Sequence, residues 1–263
     1  MGFMEKKLKY KRIIIKLSGE AIGGTEQVVE KDGRIKTISK FGVDFELALR
    51  VCKNIGDCYN LGCEIAVVIG GGNIWRGKNS GGKMHGSNAD NMGMLATTIN
   101  SVAIHDCFET LGVPSVIMTA TPMPKIGDLF VAEKAVEHMK EKKIVIICGG
   151  TGNPFFTTDT AVMLRAAELG VDLAVLGKSV DYVYTSDPAE DKNAKAIKKA
   201  SYDYLIENQL NVIDVAASSI AKNNNIPAEL FVLGEGDSIK DVVLGNEIKS
   251  TYISNDKEII FLD

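Results

Sequence analysis

Three segments of the sequence combine glycines with polar side chains that could bind phosphate groups. Each lies at the end of a short apolar run: "KLSGE" starts at Lys16, "IGGGNIWRG" ends at Gly77 and "CGGTGNPFFTTD" ends at Asp159. Backbone N–H groups of successive glycines can point toward one anion because no Cβ atoms intervene. A lysine that ends an apolar run costs free energy to desolvate unless it meets an anion. Together the segments predict a site for phosphorylated ligands.

Two common phosphate-binding motifs do not fit the glycine stretch that precedes Gly77. The dinucleotide-binding fingerprint requires a third glycine at the position of Trp75. The segment "GNIWRGKN" differs from a Walker A loop at Asn79, which cannot supply a magnesium-binding hydroxyl, and "SGGKMHG" follows instead of a helix. A tight turn without a ligand stays open for this stretch taken alone, but the other two segments favour a ligand site.

Short apolar runs alternate with segments of helical periodicity along the chain. Predicted strands cover residues 12–17, 64–69, 115–119, 144–148, 172–176 and 229–233. Predicted helices run from Asp44 to Gly62 and from about Ala89 to Phe108, and a third follows Thr158 and Asp159 and stops at Gly170. This alternation predicts a mainly parallel sheet with helices on both faces, whose ligands bind at the carboxyl edge of the strands.

Two further segments receive structural predictions without a function. Residues 30–42 are charged and predict a solvated loop or a small hairpin. The carboxyl-terminal segment "STYISNDKEIIFLD" predicts a hairpin that turns at Asn255 and Asp256. No linker or low-complexity segment divides the chain, so we expect one domain whose two halves flank a cleft.

Composition excludes several classes of function. The chain has 263 residues, 45% of them hydrophobic and 24% charged, with a formal net charge of −4, which gives no reason to expect nucleic-acid binding. No apolar run approaches the roughly 20 residues of a membrane span. The apolar stretch 13–15 near the amino terminus is too short for a signal peptide, so we expect a cytoplasmic protein. Five cysteines without metal-ligand spacing predict buried, reduced thiols.

Six segments, in this order and spacing, closely resemble the bacterial UMP kinase family of the amino acid kinase superfamily. They are "KRIIIKLSGEA", "VVIGGGNIWRG", "ADNMGMLATTIN", "GGTGNPFFTTDTAVMLRAAEL", "VDYVYTSDP" and "NVIDVAA". The resemblance extends from about Tyr10 to Gly245 and implies a three-layer α/β/α sandwich. It also implies transfer of the γ-phosphoryl group of ATP to UMP, with Mg²⁺ that arrives with ATP and has no assigned protein ligands. The alternatives are a related kinase that acts on a carboxylate or carbamate, and a non-catalytic uridine nucleotide sensor.

The resemblance assigns three catalytic residues. Lys16 would contact the transferring phosphoryl group, while Asp159 and Asp214 would orient Lys16 and would not act as general bases. Such a base is not required, because the acceptor is a phosphate oxygen that is already ionised near neutral pH. Two structural alternatives stay open: Asp159 could be a helix cap, and Asp214 a first-turn residue stabilised by the helix dipole.

The resemblance also divides the remaining site residues between two nucleotides, with the N-terminal half mainly on the UMP side and the C-terminal half mainly on the ATP side. The implied ATP contacts are Lys16, Leu17, Ser18, Gly19, Gly72, Arg76, Lys178, Tyr184 and Asp187. The implied UMP contacts are Gly71, Asp90, Thr151, Gly152, Asn153, Pro154, Phe155, Phe156, Thr157 and Thr158. Among them, the Asp90 carboxylate would accept hydrogen bonds from the ribose, and Arg76 would meet a phosphate.

The sequence departs from the family pattern on the adenine side, where Tyr182 stands at a position that is glycine in many members. The family further implies a homo-oligomer, often a hexamer, with UTP as an inhibitor and GTP as a possible effector. The helix segment "SVAIHDCFETLG" lacks the basic residues associated with a GTP response in some members. The apolar stripe within "NMGMLATTIN" is interpreted as core or as a subunit interface.

Overall fold

The structure is a computed structural model that describes residues 7–29, 34–77, 81–178, 180–233 and 238–262. Its strands are β1 (Arg12–Leu17), β2 (Thr25–Val29), β3 (Ile35–Ser39), β4 (Glu64–Ile69), β5 (Ser115–Thr119), β6 (Asp128–Leu129), β7 (Ile144–Cys148), β8 (Leu173–Lys178), β9 (Val183–Tyr184), β10 (Ala196–Ser201), β11 (Ala228–Val232), β12 (Thr251–Ser254) and β13 (Ile260–Phe261). Its helices are α1 (Glu20–Gly23), α2 (Phe45–Asn60), α3 (Gly86–Thr110), α4 (Ala132–Lys140), α5 (Thr158–Leu169), α6 (Tyr202–Glu207), α7 (Val215–Asn223) and α8 (Ser238–Leu244).

One sheet dominates the described part of the chain. Its strand order is β13-β10-β12-β11-β8-β1-β4-β7-β5-β6, and β9 pairs with β10. The strands from β11 through β8, β1, β4, β7 and β5 to β6 all pair in parallel. A parallel sheet of this kind must be covered on both faces, which explains the continuous apolar runs of its central strands. The predicted mainly parallel α/β/α architecture is confirmed.

Two hydrophobic cores lie on opposite faces of the sheet, and β1 contributes to both. Ile13 and Ile15 pack with the core that includes α2, α3 and α8, whereas Ile14 packs with the core that includes α4, α5 and α7. Successive side chains of a strand point to opposite faces. Lys16 therefore belongs to the same face as Ile14, the face that α5 covers, at the carboxyl end of the strand.

Two helix ends lie at the predicted capping residues, Asp44 and Gly170. Asp44 accepts a hydrogen bond from the backbone N–H of Leu47 at 3.1 Å and starts α2. Gly170 ends α5 in the left-handed conformation, with a φ of 59°. None of the described helices combines the length and the apolar character needed to cross a membrane. All five cysteines are buried, as their apolar surroundings predicted.

The predicted carboxyl-terminal hairpin is wrong. Strands β12 and β13 do not pair with each other; they flank β10, which pairs in parallel with β12 and antiparallel with β13. The chain does leave β12 near Asn255, as predicted. It then passes to the other edge of β10, where the backbone groups of β13 form hydrogen bonds with that strand. In contrast, β2 and β3 do form a small antiparallel hairpin, although residues 30–33 lie outside the described part.

Candidate active site

A cluster of one carboxylate and two lysines lies at the carboxyl ends of β1 and β8, which are neighbours in the sheet. The Nζ atom of Lys16 is 2.8 Å from Oδ1 of Asp159, and the Nζ atom of Lys178 is 2.7 Å from Oδ2 of the same carboxylate. Asp159 lies in the first turn of α5, so this helix reaches the ends of both strands. The sequence predicted the first contact but not the second.

The cluster carries more positive than negative charge in a mostly buried position. Burial raises the pKa of the Asp159 carboxyl group, but the ammonium groups of Lys16 and Lys178 outweigh this effect and hold the pKa below its usual value. Burial and the adjacent Lys16 charge lower the pKa of Lys178, which Asp159 offsets only in part. Two ammonium groups share one carboxylate, and the surplus positive charge suits an anionic ligand.

The glycine turns after β1 and β4 pack directly against each other. A Cβ atom on Gly19 would lie 2.8 Å from the backbone nitrogens of both Gly72 and Asn73, so any side chain there would separate the two turns. The backbone N–H of Gly70 donates to the carbonyl oxygen of Leu17 at 2.8 Å. This close approach brings two of the three predicted phosphate-binding segments together.

A buried pair of asparagines supports the turn after β4 from behind. The side-chain amides of Asn73 and Asn100 exchange hydrogen bonds of 2.8 and 3.1 Å. Asn100 also donates to the carbonyl oxygen of Gly70 at 2.7 Å, and Asn73 donates to that of Gly42 at 2.7 Å. Sequence reasoning missed this pair. The one signal for it was Asn100, an amide side chain at a position of α3 that is buried.

A cavity of about 440 Å³ opens between α3, the turn after β4 and the loop after β7. It is lined by five of the loop residues assigned to UMP: Thr151, Asn153, Phe156, Thr157 and Thr158. Gly71 and Asp90, also assigned to UMP, line it as well, together with Gly72 and Arg76 from the ATP assignment. The third predicted phosphate-binding segment therefore faces the turn after β4 across this cavity.

Three other residues of the UMP assignment do not line the cavity. The residues are Gly152, Pro154 and Phe155, which belong to the same loop. Gly152 forms a turn with a φ of 82°, and Phe155 is 75% exposed. Phe155 also has a positive φ of 69°, and its backbone N–H donates to Oδ2 of Asp90 at 2.8 Å. These residues shape the loop, and the side chains at other positions face the cavity.

Thr97 joins α3 to the start of the same loop and was not predicted as a site residue. Its hydroxyl group donates to the carbonyl oxygen of Met94 at 2.7 Å and accepts from the backbone N–H of Gly149 at 2.8 Å. Thr97 also lines the cavity. Its only signal in the sequence was its place within the motif "NMGMLATTIN".

Asp214, which was expected to orient Lys16, forms its hydrogen bonds with other groups. Its carboxylate accepts hydrogen bonds from the hydroxyl groups of Thr157 and of Thr160, the latter at 3.0 Å. It also accepts from the backbone N–H of Ala217 at 2.8 Å and thereby caps α7. The start of α7 faces the start of α5, so Asp214 holds the threonines there and no ion pair joins it to Lys16 among the described residues.

The cap of α5 is Thr157, not Asp159. The hydroxyl oxygen of Thr157 accepts from the backbone N–H of Thr160 at 3.2 Å. The alternative interpretation of Asp159 as a helix cap is therefore wrong, because both of its oxygens contact lysines.

The remaining residues of the ATP assignment lie in two regions, one near β1 and one beside β9. Near β1, Leu17 is fully buried in the core, Ser18 accepts from the backbone N–H of Ala21 at 3.2 Å, and Arg76 forms an ion pair with Glu20. The Leu17 side chain therefore cannot contact a ligand.

A second cavity of about 440 Å³ lies beside β9 and the segment that follows α6. Tyr184 and Asp187 from the ATP assignment line it, and Tyr182 lines it beside them. Four described residues other than glycine have a positive φ, and Tyr182 is not among them. Tyrosine at this position therefore keeps an ordinary backbone conformation, and its side chain forms part of the cavity wall.

The carboxylates of the site are already occupied by other partners. Asp159 contacts two lysines, and Asp214 accepts from two hydroxyl groups and one backbone N–H. Among the described residues, no three histidine, cysteine, aspartate or glutamate side chains are grouped as metal ligands. The described residues of the site therefore do not fit a dedicated Mg²⁺ site.

Comparison with known proteins gives one family and several similar structures. The sequence profile of the amino acid kinase family matches residues 11–231. The chain is similar to the UMP kinase from Bacillus anthracis, with 31% identity, a TM-score of 0.86 and coverage of 97% of this chain and 99% of that chain. It is also similar to the UMP kinase from Ureaplasma parvum, with 29% identity, a TM-score of 0.82 and coverage of 94% and 99%, respectively.

A third structure, the uridylate kinase from Archaeoglobus fulgidus, shares 23% identity with a TM-score of 0.66, covering 92% of this chain and 99% of that chain. At this identity the likeness supports the fold alone. The profile match spans most of the chain and agrees with the resemblance in its motifs, so the chain belongs to the amino acid kinase family.

Proposed function

We propose that this protein is a UMP kinase that transfers the γ-phosphoryl group of ATP to UMP, producing UDP and ADP. One observation carries the proposal: Asp159 and Lys178, two members of the Lys16–Asp159–Lys178 cluster, are close along the chain to residues that line the two cavities. Asp159 follows Thr158 of the first cavity directly in the chain, and Lys178 lies two residues before Val180 of the second. UMP would occupy the first cavity, and the nucleoside of ATP the second.

This arrangement suits phosphoryl transfer between two nucleotides. The reaction requires alignment of donor and acceptor and stabilisation of charge on the transferring group more than covalent chemistry. Lys16 supplies the charge, and the turns at Gly19 and Gly72 supply backbone N–H groups near it. The Asp90 carboxylate accepts from the ribose of UMP, while the threonines of the loop after β7 hydrogen-bond the uridine and its phosphate.

The reaction would use Mg²⁺ that arrives with ATP, and no residue of this chain is assigned as a ligand of the ion. The engagement of Asp159 and Asp214 by other groups supports this assignment. When bound, the ion neutralises phosphate charge and polarises the transferring group. The residues of this chain position the nucleotides around it.

The protein assembles as a homo-oligomer, which its family resemblance implies to be a hexamer. It acts in the cytoplasm. Support for assembly comes from α3, where Met92, Leu95, Ile99 and Val102 are 37%, 53%, 56% and 45% exposed. The interpretation of this stripe as core is thus wrong, and a row of exposed apolar side chains on one helix favours a subunit interface. UTP competes with UMP because it shares the uridine, and GTP is assigned as a possible effector only by family resemblance.

An assay of ADP release with UMP, CMP, dCMP and AMP as acceptors tests the proposed function. We expect turnover with UMP to exceed turnover with the other three. Equal rates on all four acceptors would contradict the specificity assigned to the first cavity. Turnover of glutamate, aspartate or carbamate without UMP activity would indicate another kinase of the superfamily. Binding of UMP without any turnover would indicate a nucleotide sensor.

A further inference from the structure

We infer that Lys178 is a second catalytic cation, which contacts the transferring phosphoryl group together with Lys16, and that Asp159 sets the positions of both ammonium groups. The inference rests on the proposed function and deepens it. It assigns a role to Lys178 on the basis of its position in the fold, since the sequence motif around this lysine did not predict that role.

The geometry places the two lysines as equivalent partners of one carboxylate. Each oxygen of Asp159 contacts a different ammonium group, at 2.8 Å for Lys16 and 2.7 Å for Lys178. Lys16 is the penultimate residue of β1 and Lys178 is the last residue of β8, and because these strands are adjacent and parallel, both lysines lie at the same edge of the sheet. Ligands of parallel α/β sheets bind at this carboxyl edge.

A purely structural role does not explain the second lysine. Lys16 alone neutralises the charge of Asp159, and a further buried ammonium group adds a desolvation cost that no second carboxylate offsets. Among the described residues, no other carboxylate forms an ion pair with either lysine. An anionic ligand is the partner that would balance the surplus charge.

Exposure of the side chains supports the same conclusion. The Lys178 side chain is 18% exposed, compared with 11% for Lys16 and 13% for Asp159. Lys178 is therefore the most accessible member of the cluster, and its ammonium group keeps donors that Asp159 does not use. The lowered pKa of Lys178 agrees with a cation that lacks sufficient negative charge around it until phosphate binds.

In phosphoryl transfer, two cations can stabilise the negative charge of the transferring group. Negative charge in the transition state is spread over the three equatorial oxygens of the transferring group. Two ammonium groups fixed by one carboxylate can contact different oxygens of that group at once. Because the cluster is already assembled, no free energy is spent to organise it during the reaction.

The test uses the whole protein with four substitutions: Lys178→Met, Lys178→Arg, Lys16→Met and the control Lys198→Met. Lys198 also forms a lysine–carboxylate pair, with Glu247 at 2.8 Å, but it lies on β10 outside the cluster. For each protein we would measure kcat for ADP release, the Kd of UMP, the Kd of ADP, and the Kd of ADP in the presence of magnesium, aluminium fluoride and UMP. The aluminium fluoride complex imitates the transferring phosphoryl group.

We expect Lys178→Met to lower kcat by about a hundredfold, the scale observed when a preorganised charge stabiliser is removed. The same substitution should weaken the aluminium fluoride complex far more than it weakens ADP, because the contact is made to the transferring group. Lys178→Arg should recover part of kcat, and an unchanged Kd for UMP would demonstrate a folded variant. Lys198→Met should match the unmodified protein.

Two outcomes would overturn the inference. If Lys178→Met keeps kcat within twofold while Lys16→Met loses it, Lys178 is not a catalytic cation. If Lys178→Met weakens ADP and the aluminium fluoride complex by equal factors, it only binds the ground state. Absence of UMP-dependent turnover in the unmodified protein is a different result, which would refute the proposed function and the inference with it.

Discussion

The carboxylate of Asp90 accepts a hydrogen bond from the backbone N–H of Phe155 at 2.8 Å, so helix α3 holds the loop that follows β7. Phe155 has a positive φ of 69°, a conformation that costs free energy for a residue with a side chain. A charged acceptor at this backbone N–H offsets part of that cost. One side chain thus lines the first cavity and also shapes its opposite wall.

Asp90→Ala should raise the KM for UMP by about tenfold to a hundredfold, because it removes hydrogen bonds to a charged acceptor worth roughly 1.5–3 kcal/mol. The KM for ATP should change little, since Asp90 lies outside the second cavity. Steady-state kinetics with each nucleotide varied in turn would measure both. Asp106→Ala, an exposed position on the same helix, is the matched control. Equal changes in the two KM values would argue against the assigned position of UMP.

Asp214→Ala should both destabilise the protein and weaken UMP binding. The loss of the α7 cap costs about 1 kcal/mol, and the same substitution removes the acceptor that holds Thr157 at the edge of the cavity. Thermal unfolding and the Kd of UMP report the two effects separately. Ser201→Ala provides the comparison, because Ser201 caps α6 through the backbone N–H of Tyr204 at 3.0 Å and does not line the first cavity. A matching loss of UMP affinity in both variants would mean that Asp214 acts only through general stability.

Asp159 should stabilise the fold at neutral pH and lose that contribution in acid. Its pKa in the folded protein lies below the usual value, so the contribution is present above the unfolded pKa of about 3.9 and is lost as the pH falls through the folded pKa. Asp159→Asn leaves two ammonium groups without their carboxylate and should lower the free energy of unfolding by about 3 kcal/mol near pH 7.

Urea unfolding of the wild type and Asp159→Asn between pH 7 and pH 3 would measure this difference. We expect a constant gap in the free energy of unfolding above about pH 5 that narrows in more acidic solution. A gap that stays constant to pH 3, or that widens in acid, would be inconsistent with the ion pairs seen here.

Local features of the fold were predictable from the sequence, and long-range contacts were not. The bounds of β1, β4, β5 and β7 match the predicted strands, because a strand buried on both faces appears as a continuous apolar run. The partner of β13 was predicted wrongly, since a turn signal specifies where the chain reverses but not which edge it joins. The contact between Lys178 and Asp159 depends on the neighbouring positions of β1 and β8, and no local pattern encodes that neighbourhood.

The position of Tyr182 leads to a prediction about the nucleotide donor. Tyr182 and Tyr184 line the second cavity, and aromatic rings stack on nucleobases with a free energy of about 1–3 kcal/mol per base. Tyr182→Ala should raise the KM for ATP by about tenfold and leave the KM for UMP unchanged. Tyr182→Phe keeps the ring and should behave as the wild type. If Tyr182→Ala leaves the KM for ATP unaltered, the ring covers no nucleobase.

The exposed stripe on α3 makes the oligomeric state sensitive to a single charge. Leu95 is 53% exposed at the centre of the stripe, and Leu95→Glu would place a carboxylate in the proposed subunit interface, where it would be desolvated without a partner. The molar mass in solution, measured by light scattering after size-exclusion chromatography, should then fall to that of a smaller assembly. Leu129→Glu is the control, because Leu129 is 48% exposed on β6, a strand at the edge of the sheet. An unchanged mass for Leu95→Glu together with a reduced mass for Leu129→Glu would move the proposed interface from α3 to the edge of the sheet.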